Sequence, residues 1–271
     1  MRIIDGRTIA DTIKKGLVQK LNFIRKKPCL AVVLVGCQPA SCLYLRIKER
    51  AGRQVGIKIR KYLLSSRFSE EKILQVVRRL NQDSRIDGIL IQLPLPKKFS
   101  PDRIIREISL AKDVDGLLPA SQFSSPFILA IWRALQSTKE NLRNKKIVAL
   151  VNSDIFGRRL IGFLKNKGLP ASYLTKLSLK TRKTTLKKVD VLITALGRPN
   201  FINESMVKKG VILIDGGISQ KGKKIIGDIN RKSISQKASW LSPVPGGIGP
   251  ITVAQLLENV VLAAKIENQK Q

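Results

Sequence analysis

Apolar positions fall into two alternating patterns along the chain, continuous runs and runs spaced by three or four residues. The continuous kind is clearest at Cys29 to Val35, a stretch suited to a strand buried on both faces of a parallel sheet. Ile57 to Leu64, Ile89 to Leu93, Ile147 to Val151, Val189 to Ala195 and Val211 to Asp215 extend the series of predicted strands. Between them the period changes to that of a helix. Residues 5–24 carry Ile9, Ile13, Leu17 and Leu21 on one side, and a helix entered through Pro39-Ala40-Ser41 runs to near Gly56. Ser69 caps a third helix with Ile73, Val76, Val77 and Leu80 inward. Ser100-Pro101 opens a short one to about Ile108. Arg158 to Lys165 forms part of another, and Pro250 to Ile266 closes the series with Val253, Leu256, Leu257 and Val260 on one side. Strands alternating with helices predict parallel α/β architecture, and the pattern restarts near Lys145, so two domains are expected.

Composition narrows this picture. With 271 residues, of which 43% are hydrophobic, the chain suits two modest globular domains. No signal peptide is read in Met1 to Ala10, and Phe127 to Leu135 is too short to span a bilayer, so a cytoplasmic protein is expected. Three cysteines without Cys-x-x-Cys spacing and no histidine argue against a metal site or a disulfide framework. The charge is unusual: 51 Lys and Arg against 19 Asp and Glu give +32. That balance suits nucleic acid, yet the basic residues are scattered and aromatics make up only 5%. Nucleic acid is therefore not the expected partner.

Candidate chemistry gathers around Ser41-Cys42-Leu43-Tyr44-Leu45-Arg46-Ile47-Lys48. Tyr44 and Lys48 are four apart and share a helix face. An aromatic plate beside an amine suits work on a flat heterocycle, although such a pair alone is more often an exposed lysine over a half-buried tyrosine. Gln92 lies at the carboxyl end of its strand and Asp115 in a loop beyond the next helix. Ligands bind at such edges of open parallel sheets. Glycines finishing strands at Gly197 and at Gly216-Gly217 are what a dinucleotide needs for close backbone approach.

Four motifs in order carry a resemblance. They are Ser-x-x-Tyr-x-x-x-Lys at 41–48, Asp87 to Pro96, Lys112-Asp113-Val114-Asp115-Gly116, and Ser242-Pro243-Val244-Pro245-Gly246-Gly247-Ile248-Gly249-Pro250-Ile251-Thr252. Together they resemble the bifunctional methylenetetrahydrofolate dehydrogenase/methenyltetrahydrofolate cyclohydrolase family. The resemblance implies a three-layer α/β folate domain over 1–120, completed by the helix of 250–271. It also implies a Rossmann-like domain over 121–249, with the active-site cleft between the two. It implies tetrahydrofolate derivatives as substrate, NADP as cofactor and a homodimer. Lys48 matches the family's base or proton shuttle, Gln92 the amide that tunes it, Tyr44 the stacking ring and Asp115 the carboxylate for the pterin edge. Arg46 and Arg50 are expected to lower the Lys48 pKa further, with Glu49 opposing them if it faces inward. Pro245, Gly246 and Gly247 match the loop that approaches substrate.

The cofactor side departs from the family. Where the family has Gly-Arg-Ser-x-x-x-Gly-x-Pro, this chain reads Val151-Asn152-Ser153-Asp154-Ile155-Phe156-Gly157-Arg158-Arg159. Ser153 and Gly157 remain, but Asn152 cannot make the arginine's bidentate contact to a 2′-phosphate. Lys176 or Arg158 is the candidate replacement charge, and NAD the alternative cofactor. The family's His-Ser pair appears as Leu177-Ser178. The cofactor set implied is Ser153, Gly157, Ser178, Gly197, Gly217 and Ile218. Two competing readings follow: a cyclohydrolase with weak or lost dehydrogenase activity, and a nucleic-acid binder on the same fold.

Overall fold

The structure is a computed structural model that describes residues 1–24, 26–36, 39–175, 183–222 and 224–268; the side chains of 39, 40, 183–185, 221, 267 and 268 are outside the description. The chain forms two compact units, each assembled from two pieces of sequence: 10–126 with 253–271, and 1–9 with 127–252.

The first unit is a three-stranded parallel sheet with β2 (Cys29–Val35) between β3 (Lys58–Leu64) and β4 (Gly88–Ile91). All seven residues of β2 are buried, and alternate side chains enter two different cores. Leu30, Val32 and Leu34 pack with Leu17 of α1 (Gly6–Leu21), Leu45 and Val55 of α2 (Pro39–Val55) and Val253, Leu256, Leu257 and Val260 of the last helix. Ala31, Val33 and Val35 pack with Ile73, Leu74 and Val77 of α3 (Glu70–Gln82) and Ile104 of the short α4 (Pro101–Arg106). Burial on both faces explains why the strand reads as an unbroken apolar run rather than an alternating one.

The second unit is a six-stranded parallel sheet. Its order is β1 (Arg2–Ile3), β11 (Ala238–Ser242), β8 (Val211–Asp215), β7 (Val191–Ala195), β5 (Ile147–Val151) and β6 (Ala171–Thr175). Helix α5 (Pro126–Ser137) precedes β5, and α6 (Asp154–Asn166) connects β5 to β6. An antiparallel hairpin of β9 (Ser219–Lys221) and β10 (Lys224–Ile226) follows β8. A single turn of helix, α7 (Arg231–Ile234), leads to β11, and α8 (Ile248–Asn268) ends the fold. Among the described residues no helix is long and apolar enough to cross a membrane.

The expected strands at 29–35, 147–151 and 211–215 keep their ends, while Ile89 to Leu93 shortens to end at Ile91 and Val189 to Ala195 begins at Val191. Cys29 is a buried free thiol. Cys42 is disulfide-bonded, although the cysteine spacing argued against a disulfide framework.

Candidate active site

Helix α2 presents Lys48 toward the carboxyl end of β4. Its Nζ donates to Gln92 Oε1 at 2.7 Å, and Gln92 Nε2 donates to the Leu93 carbonyl at 2.7 Å. With its nitrogen so engaged, the Gln92 amide has only its oxygen to offer the lysine. Gln92 is itself held by its backbone N–H on the Val33 carbonyl (2.8 Å), directly beyond the strand ladder. Burial lowers the Lys48 pKa to about 8, and Asp115 works against that shift. Asp115 is pushed up to about 6, first by burial, with Lys48 opposing and Asp113 assisting. Amine and carboxylate thus act on each other, and both titrate within two units of neutrality. Arg46 and Arg50 are exposed and are not the cause of the lysine's shift, which corrects the expectation that they add to it. Glu49 faces Lys61 and Arg53, at 3.0 and 3.5 Å.

The loop carrying Asp115 is fixed on every side but that one. Lys112 Nζ donates to the carbonyls of Leu80 and Asp83, at 2.9 and 2.8 Å. Asp113, fully buried, accepts from the N–H groups of Leu117 and Leu118 at 3.2 and 2.9 Å. Gly116 has φ +63°, and a Cβ there would stand 2.6 Å from the Phe123 carbonyl oxygen, so only glycine fits. Asn259 of α8 donates through Nδ2 to the carbonyls of Val114 (2.8 Å) and Ser124 (3.0 Å). Of the motif's two carboxylates, Asp113 is the one held by backbone N–H groups of its own loop, and Asp115 is the one that interacts with the Lys48 charge.

Tyr44 is half-buried one turn before Lys48, and burial raises its phenol pKa. Ser41, a turn earlier on that face, is 2% exposed, and its hydroxyl has no hydrogen-bond partner among the described residues. Its motif position was legible in the sequence, but its isolation was not. Asn259 was missed altogether, although a sequence signal existed. Gln255 and Asn259 stand four apart on one side of the last helix, among apolar neighbours, and both are buried.

The expected cofactor residues lie in the other unit, at the carboxyl ends of β5, β7 and β8. Ser153 caps α6, its hydroxyl accepting from Phe156 N–H at 3.4 Å. The glycines divide by use. At Gly157 a Cβ would come within 2.5 Å of the Tyr173 ring, and at Gly217 within 2.1 Å of the Asp228 carboxyl carbon. These two are required by packing. Gly197 has φ +67° and nothing within 4 Å of a Cβ, which leaves its backbone open to a ligand. Ile218 is half exposed. Asp154 accepts from Tyr173 Oη at 2.5 Å and pairs with Arg158 Nε at 2.7 Å, so the candidate replacement cation is already facing a carboxylate. Ser178 and Lys176 lie outside the described residues. Pro245 is exposed, Gly246 has φ +103°, and the Gly246 carbonyl accepts from Gly6 N–H at 2.9 Å. Gly247 is excluded from having a side chain by the Pro243 carbonyl at 2.5 Å.

Two family descriptions match this chain: tetrahydrofolate dehydrogenase/cyclohydrolase, catalytic domain, over residues 4–115, and tetrahydrofolate dehydrogenase/cyclohydrolase, NAD(P)-binding domain, over 127–268. The chain belongs to the tetrahydrofolate dehydrogenase/cyclohydrolase family. A family member from Campylobacter jejuni, the bifunctional protein FolD, is 37% identical over 98% of this chain and 99% of its own. The crystal structure of the Campylobacter jejuni FolD enzyme aligns with a TM-score of 0.92 at 36% identity, covering 98% of this chain and 99% of that one. A Trypanosoma brucei FolD, solved with NADP cofactor and an inhibitor, aligns with a TM-score of 0.92 at 25% identity over 98% of each chain. The two-domain α/β fold expected from the sequence is thus the family's fold.

Proposed function

We propose that the protein oxidises 5,10-methylenetetrahydrofolate to 5,10-methenyltetrahydrofolate with NAD(P), then hydrolyses that product to 10-formyltetrahydrofolate. The observation that carries this reading is the Lys48 amine, held by Gln92 and opposed by Asp115, in a chain of this family. Asp115 accepts hydrogen bonds from the amino-pyrimidine edge of the pterin, and Tyr44 stacks on its ring. In the first step a hydride leaves the methylene carbon, and NAD(P) supplies its acceptor. In the second, a water oxygen bonds to the methenyl carbon while the neutral Lys48 amine takes its proton. The carbon–N5 bond then breaks as the adduct's hydroxyl gives up its proton to become the formyl carbonyl and N5 takes one, so that one proton is released overall. A lysine with a pKa of about 8 serves as such a base near neutrality without being mostly neutral beforehand.

Gly197 and Ile218 offer the dinucleotide an open backbone and an exposed apolar contact, with Ser153 at the neighbouring strand end. Gly157 and Gly217 shape that edge, and Ser178 joins it by the family's pattern. Pro245, Gly246 and Gly247 are assigned to the substrate side on the same ground. The folate domain is assigned to 10–126 with 253–271, and the dinucleotide domain to 127–252 with 1–9. NADP is the cofactor of the Trypanosoma brucei complex. Here Asn152 is neutral and Asp154 adds a carboxylate beside it, which favours NAD over a 2′-phosphate. A homodimer in the cytoplasm completes the proposal.

The test is an absorbance assay with methylenetetrahydrofolate, running NAD and NADP side by side. Reduction of either supports the bifunctional reading. If neither is reduced while methenyltetrahydrofolate is still hydrolysed, the protein is a cyclohydrolase alone. Loss of both activities in the wild-type protein would overturn the proposal.

A further inference from the structure

The sheet order changes direction between β5 and β7, because β6 follows β5 on one side while β7, β8 and β11 continue on the other. Ligands of doubly wound sheets bind outside the strand ends at such a switch. One wall of that switch is the segment Leu196-Gly197-Arg198, which has no regular structure of its own. Its geometry comes from a side chain some thirty residues away. Asp228, 0% exposed, accepts from Leu196 N–H and Arg198 N–H, each at 2.6 Å.

Asp228 is held in turn by a second buried carboxylate. Its own N–H donates to Asp215 Oδ1 at 3.0 Å, and Ile229 N–H donates to Asp215 Oδ2 at 3.0 Å. Asp215 also receives Gly217 N–H at 3.0 Å and Thr194 Oγ1 at 3.2 Å. The two carboxylates therefore tie together the ends of β7 and β8 and the 227–229 segment. Room for them comes from glycine. A Cβ at Gly217 would stand 2.1 Å from the Asp228 carboxyl carbon, and one at Gly227 would stand 2.0 Å from Asp215 Oδ2. Buried charge is costly unless saturated by donors, and a carboxylate is the side chain that only accepts. Asparagine would turn an N–H group toward N–H groups.

We propose that Asp228, supported by Asp215, is a positioning residue for dinucleotide binding, fixing the Leu196–Arg198 wall against which the cofactor lies. This rests on the dehydrogenase reading above. It is tested in the full chain by Asp228→Asn, with Gly227→Ala as the variant that displaces Asp215 while leaving both carboxylates in place. Dinucleotide binding, followed by NAD(P)H fluorescence, and the KM for dinucleotide are expected to weaken at least tenfold in both variants, with kcat changing far less. Hydrolysis of methenyltetrahydrofolate, which uses Lys48, Gln92 and Asp115, stays within twofold. A dinucleotide KM within twofold of wild type in either folded variant would overturn the proposal. So would a parallel fall of both activities in each variant, which marks a purely structural role. If the wild-type protein binds no dinucleotide, the dehydrogenase reading fails first and the positioning role falls with it.

Discussion

Each unit buries aspartates at the ends of its parallel strands and beyond, and treats them in opposite ways. In the unit of Lys48, Asp113 is consumed by two backbone N–H groups while Asp115 interacts electrostatically with the lysine. In the other unit, both Asp215 and Asp228 are consumed by backbone donors. Burial raises the pKa of Asp115, Asp215 and Asp228 alike. A raised pKa therefore does not distinguish a reacting carboxylate from a structural one. The distinction lies in what surrounds the carboxylate: main-chain donors that belong to the fold, or the charge of a side chain that titrates with it.

The strongest way to break this contrast is Lys48→Met. It should lower methenyl hydrolysis by about 10²–10⁴-fold, the usual range for a general base, and dehydrogenation should fall with it. Retained hydrolysis, measured by loss of methenyl absorbance, would remove Lys48 from the mechanism. Asp115→Asn comes next. Losing a charged acceptor costs about 1.5–3 kcal/mol, so the folate KM should rise roughly 10- to 100-fold with dinucleotide affinity unchanged. Gly116→Ala attacks the same loop through its backbone. A strained φ and the clash with Phe123 should cost about 1–3 kcal/mol, visible as a lower Tm.

Acidity sharpens the comparison further. Asp115 loses its charge as pH falls through about 6, so the folate KM should rise below that point. Lys48 becomes neutral as pH rises through about 8, so hydrolysis at saturating substrate should climb from pH 7 and level off above 8. A decline above pH 8 would assign the lysine a cationic role instead. The smallest expected effect is at Asn152→Arg, which should move the NADP-to-NAD ratio of kcat/KM upward by about tenfold, one charged contact's worth.

Both sheet cores were legible because their central strands are buried on two faces and leave unbroken apolar runs. The elements that escaped lack that signature. In β6, Ala171–Thr175 alternates weakly because only Ala171 and Leu174 are buried. In β11, Ala238–Ser242 carries two serines, one of which, Ser242, is buried and accepts from Asp215 N–H at 2.8 Å. Helix α5 coincides with the chain's most apolar window, Phe127 to Leu135, whose apolar run raises the question of a membrane span rather than of a helix. At the site, Lys48, Gln92 and Asp115 were readable from motif order. The residues that hold them were not, since Asn259 reaches Val114 across 145 positions of sequence.

That last contact has a consequence for how the protein is made. Lys48 emerges early in synthesis, yet the loop carrying Asp115 is fastened by an amide translated after the whole 127–252 segment. Domains ordinarily fold in the order in which they leave the ribosome. The unit of 10–126 is thus completed only by 253–271, so in a nascent chain this face of its small sheet has α1 and α2 but not yet α8. Lowering translation speed late in the message should lengthen the time for which this core lacks Val253, Leu256, Leu257 and Val260.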